Sequence, residues 1–574
     1  MYIFKKYQRI AAPVLAFVMI AIVWGRTGIY FETNDDKYIT EILCGLETGE
    51  PEARAVYVSY LLTLPLSWLY RLAPGVPWYG MTMILLHILT YGAVLESLYS
   101  RCARKTEAAA GTALTALLLL ANLYITGCIE FTSTAALLTA GGYFCLLTHR
   151  HPKRRWIYFV LLEALGGMMR MNAMLMMQPM GMALAWGIAL GSLKMPDKRQ
   201  ISDVKRLCRE YLLAAGKVTL AAVAVILALL AADAFVYRDD GWKAYHKFID
   251  AETVLFDYVG APAYEEVKGI LDKYQVTEAD YNAYRSYVIL DWVLSPECAE
   301  EVAEYASAHR EEMGMSRWWE EMGQNIWRDT HWGLKYVLLF LWVAAVVELL
   351  FVRKLSLLLS ILALLSGKLF TWGVLLYQGR FPLRISMPLL AGEIMLLTAL
   401  VLTYGECLGK RLRYGFVLGL LTGLCLTVIP AGRQQYRYVM DRNGGQEIYM
   451  AGLREIGEYC NAHPENRYIV DMGAVAYYYG SALESDIYRD RNYILSGSWY
   501  SNSPNLRRYN AKYLNGGGIY FLVYDDGRGE GHPGVVHLAQ RTGASPEVCD
   551  GFTASNGVPY LIYYFDGEYC IEEP

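Results

Sequence analysis

Two short stretches hold side chains whose types and spacing could do chemistry. In the first, "FETNDDKYIT" at residues 31 to 40, Glu32, Asp35 and Asp36 stand beside Phe31 and Tyr38, directly after an apolar run of membrane length. A carboxylate at a membrane interface can remain ionised and still take a proton from a hydroxyl, so Asp36 and Asp35 are candidate general bases, with Asp36 favoured. The same residues also suit the start of a helix, with Asn34 or Asp35 as its cap. In the second stretch, "GKLFTWGVLLYQGRFPLRISMPLLAGE" at 367 to 393, Gly379 permits a tight turn and Pro382 suits the first turn of the next helix. Arg380 and Arg384 flank that helix N-terminus. Backbone amides, a dipole end and two guanidiniums together make a site for a lipid-linked phosphate, or the arginines simply snorkel to phospholipid headgroups. Lys368, deeper on the preceding helix, is a third phosphate candidate, or else the partner of Glu393 in a buried brace.

The elements that position these residues follow from hydropathy. In 574 residues, 55% hydrophobic with mean hydropathy +0.22, long apolar runs alternate with short basic clusters. A helix needs roughly 20 apolar residues to cross a bilayer. Spans are expected near 10–28, 77–99, 108–127, 131–148, 156–171, 174–193, 211–236, 333–352, 355–376, 382–404 and 413–430, making about eleven helices. Basic clusters in the N-terminal stretch and at 101, 149, 194, 353 and 409 fall on one side under this count, which the positive-inside bias makes cytoplasmic. The loops 29–76, 237–332 and 377–381, and everything after 430, are then extracytoplasmic. The first helix starts basic like a signal peptide, but no A-x-A site follows it, so it reads as a retained anchor.

A transmembrane domain is therefore expected over 1–430 and an extracytoplasmic domain over 431–574. Within the first, residues 37 to 77 repeat apolar positions at helical spacing among charges, as one or two interfacial helices would. The loop 237–332 reads as helical, with Ser295 as an N-cap and Pro296 at the first helical position. The tail shows an amphipathic helix near 446–462, then Tyr-rich runs bounded by Gly, Asn and Asp, the pattern of a small α/β domain.

A second tier of residues could line an outer cavity or merely cap short loops: Glu130 before one span, and Arg170 and Asn172 between two others. In the large loop Trp242, Tyr245, His246 and Asp257 combine aromatics with polar groups, which suits sugar binding or an ordinary helical core. His87 and Glu163 read as satisfied interior polar groups.

Several classes are excluded. The net charge of −4 points to no nucleic-acid partner. None of the eleven cysteines makes a CxxC spacing. Three of them, Cys460, Cys549 and Cys570, fall in the tail, where Cys549 with Cys570 is the candidate disulfide pair. No Walker glycine loop, zinc spacing or GxSxG elbow stands in a plausible context.

An acidic "NDD" after the first helix, interfacial helices, many spans and an outer soluble tail together resemble the GT-C superfamily of polyprenyl-phosphate-sugar-dependent integral membrane glycosyltransferases, over residues 1 to about 430. The resemblance implies that an acid of the first outer loop, Asp36 or Asp35 here, is the general base towards the acceptor. In the oligosaccharyl-transferase branch such an acid helps hold a divalent metal. This chain lacks a second-loop DxD and an outer WWD-type motif, so no metal or other cofactor is expected. The implied partners are a polyprenyl-phosphate-linked sugar, membrane lipids and a cell-envelope glycan, lipid or protein as acceptor, in a bacterial plasma membrane. A lipid-linked-glycan ligase, polymerase or transporter using the same arginines, or a non-catalytic scaffold, are the other classes. They differ in geometry: a transferase needs Asp35 or Asp36 facing Arg380 or Arg384 in one cavity, whereas a transporter needs a midplane site on broken helices.

Overall fold

Helix follows helix through most of the chain, because runs of Leu, Ala, Val and Met too long for strands must satisfy every backbone group locally in a bilayer. The computed structural model describes residues 2–191, 201–310, 313–328, 331–379, 381–484 and 491–571. The chain opens with α1 (Tyr2–Thr27), β1 (Tyr30–Phe31), α2 (Asn34–Cys44), α3 (Tyr60–Leu72), α4 (Trp78–Ser100), α5 (Lys105–Ala121), α6 (Leu123–Gly127) and β2 (Cys128–Ile129). Then come α7 (Phe131–Thr148), α8 (Pro152–Met169), α9 (Met171–Gly191) and α10 (Ile201–Val236). The large loop holds α11 (Asp240–Thr253), a π-helical turn (Val254–Val259), α12 (Tyr264–Lys273), α13 (Glu278–Arg285), α14 (Pro296–Ala308) and α15 (Met315–Ile326). Four long helices follow: α16 (Leu334–Val352), α17 (Leu355–Tyr377), α18 (Leu383–Gly405) and α19 (Lys410–Ala462).

Among the described residues nine helices are long and apolar enough to cross a membrane. Of the expected spans, α5 stops at Ala121 after 17 residues and α8 carries Lys153, Arg154, Arg155 and Glu163, so these two fall short of that measure. The central helices α7 and α18 are buried almost throughout, whereas α10 and α16 turn Leu220, Leu227, Leu339 and Val343 outward, as lipid-facing helices do. The short α3 likewise exposes Leu61, Trp68 and Leu72, in keeping with a helix that lies on the membrane surface.

The break between α5 and α6 frees backbone groups inside the bundle, and α19 satisfies them. Gln435 accepts from the Tyr124 amide at 2.9 Å and donates to the Ala121 carbonyl at 3.0 Å. One turn pair further on, Asn443 donates to the Thr27 carbonyl at 2.8 Å. Helix α19 is continuous over 53 residues through Pro430, so the apolar span and the expected amphipathic helix near 446–462 are one element.

The tail adds β3 (Tyr468–Val470), α20 (Met472–Val475), β4 (Tyr493–Leu495), α21 (Pro504–Leu514), β5 (Gly517–Tyr524), α22 (Pro533–Thr542), β6 (Glu547–Thr553) and β7 (Pro559–Glu568). The sheet order is β4-β3-β5-β7-β6, with β4, β3 and β5 parallel and the other two antiparallel. Alternation along β5 splits the core between two faces: Leu522 packs with Leu453 and Ile456 of α19, while Ile519, Phe521 and Val523 pack under α21 and α22. Cys549 and Cys570 are both free, so the candidate disulfide does not form. The tail docks on the first loop: the Phe31 amide donates to the Gly480 carbonyl at 3.0 Å, and β1 pairs with β2. At Gly80 on α4 any side chain would collide with the Ala482 carbonyl, which makes glycine the residue this contact requires.

Candidate active site

The residues after β3 and β4 close over one end of the membrane domain, and a cavity of about 750 Å³ lies between. Its roof includes Met472, Ala476, Ser498 and Trp499. The walls come from the first loop, the α8–α9 turn, the end of α17, the start of α18, and α11 with its π turn. Such a crevice at the carboxyl ends of parallel strands is where open α/β sheets commonly place ligands.

Helix α2 sets the acids. Its N-cap is Thr33, with extended backbone and no side-chain cap bond, so neither Asn34 nor Asp35 caps it. Asp35 and Asp36 both fall in the first turn, where successive side chains point about 100° apart. Asp35 faces the cavity and its Oδ2 pairs with Arg384 Nη1 at 3.1 Å. Asp36 turns inward, fully buried, accepting from the Tyr79 hydroxyl at 2.8 Å and the Phe131 amide at 3.4 Å. Burial pushes the Asp36 carboxyl well above the usual range, Glu130 adds to this, and the Tyr79 bond opposes it. Asp36 is sealed from the cavity, so the expectation that favoured it is corrected on geometry: of the two acids only Asp35 lines the cavity.

Asp36 belongs to a set of buried acids. Glu130 caps α7, its Oε2 accepting from the Ser133 amide at 2.8 Å, while Oε1 has no hydrogen-bond partner among the described residues. Its carboxyl is raised by burial, against the Thr132 bond and the charge of Arg384. Glu32 accepts from the Tyr124 hydroxyl at 2.7 Å and is raised to about 7 by burial, with Arg442 opposing. Neither Glu130 nor Glu32 lines the cavity. Gly45 ends α2 in the left-handed region (φ 90°), and a side chain there would meet Glu50 and Pro51, so the acids sit on a helix with a fixed stop.

Arg384, near the start of α18 behind Pro382, lines the cavity at a helix N-terminus. Arg380 lies outside the described residues. Lys368 does not line the cavity: its Nζ pairs with Glu393 at 2.9 Å, and Glu393 also accepts from Trp342 at 2.8 Å. The phosphate role for Lys368 is corrected to a brace, because a buried carboxylate holds the nearest cation. Arg170 and Asn172 both line the cavity, with the Arg170 guanidinium 4.3 Å above the Tyr57 ring and 4.7 Å from Phe131. Trp242 and His246 do not line it. Trp242 is buried against Tyr237 and Tyr245, and His246 packs on Tyr237, because α11 turns its aromatic stripe into the core. Those two are corrected to packing residues.

Asp257, Glu252, Tyr57 and Trp499 also face the cavity, and the last three escaped the sequence reading. No pattern marks Glu252, since the π turn that re-aims the end of α11 has no sequence signature. Two non-glycine residues with positive φ flank this wall, Val56 (φ 59°) beside Tyr57 and Tyr287 (φ 59°) on it. Such strain, on the order of 1–3 kcal/mol each, tends to gather at functional sites. Among the described residues no cluster of His, Cys, Asp and Glu has the arrangement to hold a metal ion. What the arrangement offers is a carboxylate facing a guanidinium in an aromatic-walled space.

No protein-family model matches the sequence, and no curated protein matches it. Among solved structures, ArnT from Cupriavidus metallidurans bound to undecaprenyl phosphate aligns with 10% identity and a TM-score of 0.38, covering 97% of this chain and 98% of its own. The apo state of the same protein aligns with 11% identity and a TM-score of 0.39, over 96% and 97%.

Proposed function

We propose that this protein is a membrane glycosyltransferase that moves a sugar from a polyprenyl-phosphate donor to an acceptor hydroxyl on the extracytoplasmic side. The observation that carries the reading is the Asp35–Arg384 pair, 3.1 Å apart on a cavity at the ends of the spans. Both side chains remain partly exposed, Asp35 19% and Arg384 27%, so a ligand can reach either.

A donor phosphate competes with Asp35 for Arg384, since a guanidinium binds phosphate oxygens as a fork and the α18 N-terminus favours an anion. Donor entry thereby frees Asp35 to accept the acceptor proton. The acceptor oxygen attacks the anomeric carbon, the carbon–oxygen bond to phosphate breaks with its electron pair going to the phosphate, and configuration inverts. Arg384 balances the charge that grows on the leaving phosphate, so no general acid is required. The acceptor is a cell-envelope glycan, lipid or protein hydroxyl.

The test uses the full-length protein in nanodiscs, with undecaprenyl phosphate as ligand and an undecaprenyl-phosphate-linked sugar as donor. Arg384→Ala is expected to weaken lipid-phosphate binding by roughly 10- to 100-fold, as loss of a charged hydrogen bond would, and Arg384→Lys not to restore it. Normal binding by both variants returns Arg384 to a structural pair with Asp35 and removes the mechanism.

A further inference from the structure

One wall of the cavity has polar groups that the transfer chemistry above does not use. Glu252, on α11, is 4% exposed and lines the cavity, and among the described residues no hydrogen bond reaches either carboxyl oxygen. A buried carboxyl without partners is costly to fold, and each such group calls for an explanation, which on a cavity wall a bound ligand can supply. The π turn beyond it carries three consecutive cavity residues, Phe256, Asp257 and Tyr258. π turns recur at functional sites. On the same cavity Tyr57 and Trp499 bring their ring centroids to 4.5 Å at an angle of 48°.

We propose that this wall is a subsite for a hydroxyl-bearing sugar ring, in which Glu252 exchanges hydrogen bonds with ring hydroxyls and Tyr57 and Trp499 pack on the ring's apolar face. The inference rests on the reading of the cavity as a transfer site and names the ligand surface that reading lacks. A protonated carboxyl both donates and accepts, which matches a hydroxyl, whereas a carboxylate only accepts. Burial pushes Glu252 up to about 8, and Asp257 adds to this. The other titratable groups whose charge is felt together with Glu252 are Tyr57 from the first loop, Tyr245 on α11 and Tyr284 on α13, all raised by burial, with Arg170 and Asp35 acting on Tyr57. Among the described residues no cation pairs with Glu252 itself. Sugar affinity is therefore held near neutral pH and falls as pH rises through about 8.

The experiment measures binding of methyl glycosides of glucose, galactose, mannose and arabinose to the full-length protein in nanodiscs, by saturation-transfer NMR at about pH 6.5 and about pH 9.5. Glu252→Gln, which keeps a donor and an acceptor, is expected to bind within roughly threefold of wild type and to lose the alkaline decline. Glu252→Leu is expected to lose at least about tenfold in affinity while its melting temperature holds or rises. A second arm adds an undecaprenyl-phosphate-linked sugar: displacement of the glycoside assigns the ring to the donor, and simultaneous binding assigns it to the acceptor. Wild-type affinity in Glu252→Leu, or no glycoside binding by the wild type, overturns the subsite. If that happens while Arg384→Ala still loses undecaprenyl phosphate, the subsite alone has failed and the transfer reading stands; normal lipid-phosphate binding by Arg384→Ala fails the transfer reading independently.

Discussion

Asp35 and Arg384 meet at 3.1 Å although 349 residues separate them in the chain. The neighbouring Asp36 pairs with no cation among the described residues and is held instead by Tyr79 and the Phe131 amide. Two adjacent acids thus have opposite environments, and their asparagine variants should behave oppositely. Asp35→Asn is expected to lower transfer by roughly 10²- to 10⁴-fold, the usual worth of a general base, with thermal stability nearly unchanged. Asp36 does not line the cavity, so Asp36→Asn, which keeps the shape and one acceptor oxygen, should hold activity within roughly tenfold of wild type. Transfer from an undecaprenyl-phosphate sugar by each purified variant decides this, and full activity in Asp35→Asn sinks the proposed base.

Lys368 and Glu393 form a brace inside the spans, with Trp342 as its third member. Lys368→Met strands a buried carboxylate and should destabilise the protein by about 3–5 kcal/mol. Lys368→Met combined with Glu393→Gln should recover most of that loss, because no charge is then left alone. Thermal unfolding of the single and double variants is the measurement; an additive double variant would show that the two residues do not act together.

Gln435 answers for two backbone groups at the break between α5 and α6. Gln435→Leu leaves the Tyr124 amide and the Ala121 carbonyl without that partner, each at about 1–3 kcal/mol. The variant should melt well below wild type, and Gln435→Asn, one methylene too short, should melt nearly as low. Unchanged melting in Gln435→Leu would mean that water or a shifted helix serves as well.

Asp471, which caps α20 in the tail, is raised from 3.8 to about 6 by burial, against bonds from the Gly473 amide and Ser496. Below about pH 4 the proton is bound in both folded and unfolded chains, and the group is neutral towards stability. As pH rises from there to about 6 the unfolded chain ionises first, so stability falls, by at most roughly 3 kcal/mol for a shift of about two units. Asp471→Asn keeps the cap and removes this slope. The readout is melting temperature of wild type and variant across that window; parallel curves would contradict the assignment.

The apolar runs were legible because membrane helices must satisfy their backbone within one segment, and that demand leaves a plain hydropathy trace. Ser295 and Pro296 marked the start of α14 for an equally local reason, the cap bond that the Cys298 amide donates to Ser295 Oγ. Long-range choices left no such trace. Whether Asp35 or Asp36 faced the cavity depended on Thr33 being the last extended residue, a shift of one position that redirects every side chain behind it. The end of α5 at Ala121 was hidden because its compensating partner, Gln435, lies over three hundred residues away. Trp242 and His246 looked like sugar binders since aromatic composition is the same on a core stripe as on a binding wall. Glu252 looked like any solvated helical acid, and only tertiary burial distinguishes it.

The unbroken α19 has a mechanical meaning. At about 1.5 Å per residue its 53 residues extend roughly 80 Å, more than twice the thickness of a bilayer core. Its membrane end packs against α5 and α16, and its far end carries the sheet that covers the cavity. One helix thus joins the lipid-embedded bundle to the cover of the cavity, and Pro430, which cannot donate a backbone hydrogen bond, marks the one turn along it where the two ends are coupled less stiffly.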